Sequence, residues 1–318
     1  MKPFFTTRVL LALLVTVVFW ASAFAGIRVG LQGYPPAHLA IVRFVTASFV
    51  LAIYAKLSHF RMPQGKDLPG IALASLLGIT FYNVALNYGE TKVPAGTASL
   101  LIASTPIWTV LFASVALKEK VRLAGWIGIL LSFTGAGIIA LSEGHGVHFS
   151  KHALVIMAAS LCSALYIVMQ KHYLGRYSAL EFTAYTIWVG TLLMLPLAGG
   201  IFHSVETAPL RSTIAALFLG IFPAAIAYVA WAYVLSHAPA SRTVSLLYLI
   251  PVMAILIAWI WLREMPEPLS LLGGAFALAG VVVVNLMGRG SGPPRQGRAG
   301  KSRSLTPVRI ARIKAGVG

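Results

Sequence analysis

The chain has 318 residues, 58% hydrophobic and only 10% charged, against about 25% charged in ordinary soluble domains; a soluble enzyme is excluded and a membrane protein indicated. Its formal charge of +17 does not call for nucleic acid, because the basic residues lie in loops at the ends of apolar runs and in the last thirty residues, where membrane topology accounts for them. Cys162 is the single cysteine, so there is neither a disulfide framework nor a cysteine metal site, and no cofactor is expected.

Apolar runs close to the ~20 residues that cross a bilayer fall at about 9–28, 37–57, 68–89, 94–116, 122–142, 152–170, 180–201, 211–235, 240–262 and 269–287. The expected fold class is an all-α membrane protein with ten transmembrane helices. Lys2 and Arg8, followed by an apolar stretch ending in Ala21-Ser22-Ala23, mimic a cleaved signal peptide. The run is kept as helix one: its loss would leave nine spans and remove the counterpart of helix six, where Ser163-Ala164 answers Ser22-Ala23. Helix two carries Arg43 about 9 Å from Ala37, a depth from which it is expected to snorkel outward or take carbonyls from a broken helix, a structural role. On helix three Asn83 and Asn87 are four apart and share a face. Their amides donate and accept, which suits a zwitterionic solute, although such residues also act as glue between helices.

Helix four opens the stretch around which the chain is organised. From Val93 it reads V-P-A-G-T-A-S-L-L-I-A-S-T-P, an apolar run, then L-K-E; shifted by 145 residues it returns as A-P-A-S-R-T-V-S-L-L-Y-L-I-P, an apolar run, then L-R-E. Pro94 falls on Pro239, Pro106 on Pro251, Glu119 on Glu264, Gly128 on Gly273 and Gly135 on Gly280, an internal repeat. One repeat length holds five spans, an odd number, so the halves are expected to be inverted in the membrane. The domains follow as 1–145, 146–287 and a disordered basic tail, 288–318, suited to anionic lipid head groups. Assigning the N-terminus to the cytoplasm puts 19 basic residues inside and five outside, with Arg43 within a span; both termini are therefore expected to be cytoplasmic.

Pro106 and Pro251 lie about 18 Å below the start of their helices, near mid-bilayer, and each leaves a carbonyl, on Ile102 or Leu247, without its helical donor. Matched breaks in two halves point to a transport site. Around them the candidate lining is Trp20 and Ser22 on helix one, Asn83 and Asn87 on helix three, Ser99 on helix four, Tyr166 on helix six, Tyr228 and Trp231 on helix eight, and Tyr248 on helix nine. Trp259 and Trp261 are read as interface anchors. All eight histidines fall in loops or at span ends and no acid lies near a midplane, so an intramembrane proton relay is not expected.

Phe19-Trp20-Ala21-Ser22-Ala23-Phe24 with Ile27-Arg28, then Pro36 through Arg43-Phe44, then Ala95-Gly96-Thr97-Ala98-Ser99 through Pro106 to Lys118-Glu119, resemble the EamA repeat of the drug/metabolite transporter superfamily over about residues 8–287. The resemblance implies two inverted five-helix repeats, a central cavity, and outward transport of amino acids or other small metabolites across a bacterial inner membrane. The expected assembly is a monomer or homodimer. The alternative within the fold is a nucleotide-sugar or lipid-linked carrier, which would need buried basic residues for phosphate; only Arg43 qualifies. An intramembrane enzyme lacks a motif, and a channel lacks a continuous polar stripe.

Overall fold

The computed structural model of the protein describes residues 6–57, 60–116, 123–142, 150–237, 247 and 249–287. Among these residues no strand occurs, and the chain is helical almost throughout. Helix α1 is Thr7–Gly30 and α2 Pro36–Leu57; α3 (Leu68–Ser75) passes through a π-helical segment, Leu76–Phe81, into α4 (Tyr82–Glu90). Short α5 (Ala95–Ile102) and α6 (Thr105–Ala116) are followed by α7 (Leu123–Ser142), α8 (Lys151–Tyr173), α9 (Ala179–Met194) and α10 (Ile201–Thr207). Helix α11 (Leu210–Leu219) continues through a second π-helical segment, Gly220–Ile226, into α12 (Ala227–His237), and α13 (Leu249–Leu262) and α14 (Pro268–Met287) complete the order. Prolines begin several of these helices, where a missing N–H costs nothing: Pro36 and Pro268 are first residues, and Pro94 and Pro209 are caps.

Seven stretches among the described residues are long and apolar enough to cross a membrane: Thr7–Gly30, Pro36–Leu57, Gly65–Glu90, Leu123–Ser142, Lys151–Tyr173, Ala179–Leu197 and Leu210–His237. Leu249–Leu262 and Pro268–Val283 are apolar but shorter, and the expected fourth span is divided at Ala103–Ser104 into α5 and α6. Large apolar side chains such as Leu11, Phe49 and Leu130, with Trp259 and Trp261, are exposed on the outside of the bundle, as lipid contact requires. The basic tail and the start of the expected ninth span lie outside the described residues.

Helix α1 is central, packing on α5, α11, α12 and α13. Its Ala21-Ser22-Ala23 and Ala25-Gly26 run is small enough for close approach, and Ala21, Ala25 and Ile27 are wholly buried. Helices α7 and α14 meet along a glycine seam. A Cβ on Gly135 would overlap the Gly273 carbonyl oxygen, and one on Gly280 would overlap that of Gly128. Between these points the Ser132 hydroxyl donates to the Ala277 carbonyl at 2.7 Å, across a separation of 145 residues. The two π segments are also one repeat apart, since Leu76 plus 145 residues is Ile221.

Polar ties close the two ends of the bundle. At the α1 C-terminus Arg28 Nη2 pairs with Glu264 Oε1 at 2.9 Å, Arg28 Nη1 donates to the Glu90 carbonyl at 2.6 Å, and the Ala95 amide reaches Glu264 Oε2 at 3.4 Å. Arg263, in the left-handed region at φ 57°, turns the chain after α13 so that Glu264 faces this cluster. At the opposite end Arg176 pairs with Asp67 at 2.6 Å, the Tyr177 hydroxyl donates to the other Asp67 oxygen at 2.7 Å, and Glu181 accepts from the Arg61 amide at 3.2 Å. Burial pushes the Tyr177 phenol above its ordinary pKa, so it remains a donor there at neutral pH. Ser178 and Glu181 form a reciprocal capping box at the start of α9.

Candidate functional site

A cavity of about 90 Å³, measured as space open to the centre of a water molecule, lies inside the bundle where helices from both halves of the chain converge. A single water needs only ~10–15 Å³ on that measure, so the space admits a small solute. Trp20, Phe24 and Ile27 of α1 form one wall, Tyr82 and Leu86 of α4 another, and Tyr166 of α8 with Tyr228 and Trp231 of α12 a third. Pro106 and Pro251 both line it. The matched prolines therefore edge one hollow, and the ion pair of Arg28 stands one residue beyond Ile27.

The break before Pro106 shows how the backbone is satisfied. The chain turns at Ala103–Ser104, the Thr105 hydroxyl donates to the Ile102 carbonyl at 2.7 Å, and the Ser104 hydroxyl donates to the Leu101 carbonyl at 2.7 Å. The carbonyl that proline deprives of its donor thus finds one on a neighbouring side chain. Ser104 also meets Ser160 of α8 at 2.9 Å, which in turn accepts from the Trp108 indole at 3.0 Å. The π segments supply a second kind of freed carbonyl, because i to i+5 bonding widens the turn. Trp20 Nε1 donates to the Pro223 carbonyl in one segment at 3.2 Å, and Asn83 Nδ2 to the Ile79 carbonyl in the other at 2.8 Å.

Of the residues proposed from sequence, Trp20, Ser99, Tyr166, Tyr228 and Trp231 come together around the cavity with the two prolines. Trp20 lies edge-on to Tyr228 at 5.5 Å between ring centroids and 5.6 Å from Trp231. The Tyr166 hydroxyl is engaged by Gln170 Nε2 at 3.2 Å, so it offers the cavity its ring. Ser99 lines the space while donating to the Gly96 carbonyl at 2.6 Å. Ser22, Asn83 and Asn87 do not line it. Ser22 donates to the Phe19 carbonyl at 3.0 Å and Asn87 Nδ2 to the Pro36 carbonyl at 2.9 Å. Sharing a face placed the two asparagines together, but carbonyls at the π segment and at the start of α2 hold their amides within the packing. Tyr248 lies outside the described residues.

One residue departs from its sequence reading: Arg43 does not snorkel outward, being 3% exposed and lining the cavity, and its Nε and Nη1 have no partner among the described residues. Its guanidinium carbon stands 5.2 Å from the Phe44 ring centroid. The signal in the sequence was a cation inside a span with no acid nearby. Glu90, one residue past the apolar run 68–89, is wholly buried, and neither carboxylate oxygen has a partner among the described residues. Tyr82 and Gly78 were not singled out; a Cβ at Gly78 would drive into the Tyr166 ring, so this glycine lets the π segment approach the cavity wall.

The profile of the EamA-like transporter family matches residues 7–141 and again 150–286. A "Probable terminal-alkyne amino-acid exporter" of Streptantibioticus cattleyicolor is 43% identical over 274 residues, covering 86% of this chain and 92% of that one. "Uncharacterized transporter YdfC" of Bacillus subtilis is 38% identical, covering 87% and 90%. "Uncharacterized inner membrane transporter YedA" of Escherichia coli K12 is 27% identical, covering 77% and 80%. A crystal structure at 17% identity superposes with a TM-score of 0.61 over 88% of this chain and 96% of its own, a likeness of fold.

Proposed function

Because the chain belongs to the EamA-like transporter family, as a multi-pass membrane protein, we propose that it carries small metabolites, amino acids foremost, outward across a bacterial inner membrane by alternating access. The observation that carries this reading is the cavity edged by both Pro106 and Pro251, with walls from both halves of the chain. The amino-acid class is supported by the exporter at 43% identity.

In this reading ten helices form two inverted repeats, residues 1–145 and 146–287, with both termini in the cytoplasm and the basic tail against anionic lipid. The α7–α14 seam supports the inversion: Gly128 meets Gly280 and Gly135 meets Gly273, each glycine touching the counterpart of the other, with the helices antiparallel. Two ends tied by polar contacts around a central hollow suit a carrier that opens one end at a time. Purified protein in liposomes preloaded with an unlabelled amino acid is expected to accumulate the labelled one by counterflow, saturably. Flux that rises linearly with concentration and shows no counterflow would identify a channel and overturn the proposal.

A further inference from the structure

The geometry points to a carboxylate-binding site in the cavity, with Arg43 as its anchor and the Trp231 indole as a second donor, so that the substrate is a small carboxylate bearing an apolar chain. This rests on the transport reading and names what the site takes.

The argument begins with unspent donors. Arg43 Nε and Nη1 and Trp231 Nε1 are all buried, all belong to residues lining the same cavity, and none has a hydrogen-bond partner among the described residues. Buried polar groups are nearly always paired, and a guanidinium taken out of water without a counter-charge is costly. Around it stand the phenols of Tyr82 and Tyr228 and the buried acid of α4, Glu90, whose charge acts on it from beyond ion-pair distance; both Glu90 oxygens are without a hydrogen-bond partner among the described residues. Among the described residues that line the cavity there is no carboxylate. What the cavity lacks is therefore an acceptor carrying negative charge, and a guanidinium is the side chain best matched to a carboxylate.

The rest of the wall selects the remainder of the molecule. Phe24, Ile27, Leu86 and Ile102 offer apolar surface, suited to an alkyl side chain, and Trp20 and Tyr228 add aromatic rings, groups that attract an ammonium. A phosphate-bearing solute would carry more charge than a single guanidinium offsets.

The test compares L-norleucine with L-norleucinamide, which differ only in carboxylate against carboxamide, by thermal shift on the full-length protein and on Arg43→Gln, Arg43→Lys and Trp231→Phe. Norleucine is expected to stabilise the wild type and norleucinamide not to. Arg43→Gln should bind at least about tenfold more weakly, the loss of one charge-assisted hydrogen bond, with Arg43→Lys and Trp231→Phe intermediate. Equal shifts from the two compounds, no shift from norleucine, or undiminished binding by Arg43→Gln each overturns the site. The wild-type comparison needs no variant to fold. Counterflow of norleucine separates the two claims: binding through Arg43 without counterflow removes the transport reading and leaves the site, whereas counterflow indifferent to Arg43 and to the carboxylate removes the site and leaves transport.

Discussion

Thr105 stands one residue before Pro106 and supplies the donor that the ring cannot. Thr105→Val keeps the shape and deletes the hydroxyl, leaving the Ile102 carbonyl, bonded at 2.7 Å in the native chain, without that donor. The expected cost is about 1 kcal/mol, read as a lowered melting temperature in detergent; Thr105→Ser should restore it, and an unchanged melting temperature for the valine variant would show that the carbonyl finds another donor. Glu90 offers the opposite case. An ionised carboxylate buried without a donor costs several kcal/mol, to order of magnitude, so the neutral isostere Glu90→Gln is expected to hold or raise the melting temperature. A clear fall would mean that the charge supports the fold. At this scale the sequence was informative about residue type and uninformative about direction. Trp20 and Tyr166 were recognisable as too deep for anchors, but which way Asn83 and Asn87 turn depends on where acceptor carbonyls lie, and the π segments that free some of them leave no trace in composition.

Between elements, the glycines of α7 and α14 decide how near two helices can come. A Cβ at Gly135 would overlap backbone atoms at Gly273 and Ala277, whereas one at Gly137, two residues on, meets nothing within 4 Å. Gly135→Val is therefore expected to force the helices apart and to destabilise by about 1–3 kcal/mol, while Gly137→Val is tolerated; the comparison is made by thermal unfolding and by yield in detergent. Similar behaviour of the two variants would show that the close approach does not hold the pair. The repeat made Gly128, Gly135, Gly273 and Gly280 conspicuous, because the offset aligned them. It did not say that they touch, which is a matter of tertiary packing. The division of the fourth span at Ala103–Ser104 was foreseen from Pro106, since the ring's effect is local and falls within one turn.

At the level of the whole molecule, the proposed transport cycle makes the ties at the two ends the contacts that set which face the cavity opens to. A single cysteine at Ile27, in a Cys162→Ser background, reports the end at the α1 C-terminus through its labelling rate with a membrane-impermeant maleimide. Glu264→Gln removes the charge that holds Arg28 at 2.9 Å and is expected to speed labelling from that face; Asp67→Asn, which releases Arg176 and Tyr177 at the other end, is expected to slow it by drawing the population away. Equal rates in the three proteins would show that these contacts do not gate the hollow. The seven long apolar stretches and the two-copy organisation could be read from apolar runs and a constant offset, whereas the ties could not, because Arg28 and Glu264 are 236 residues apart and only the packed bundle brings them together.

The bond from Ser132 to Ala277 joins a position to its own image. In the proposed cycle, a movement that exchanges the parts played by the two halves would carry this line of contact onto itself, so the small residues along it would not have to repack. The work of switching would then fall at the rims, on a handful of charged side chains, and the middle of the molecule could stay as tightly built as its glycines allow.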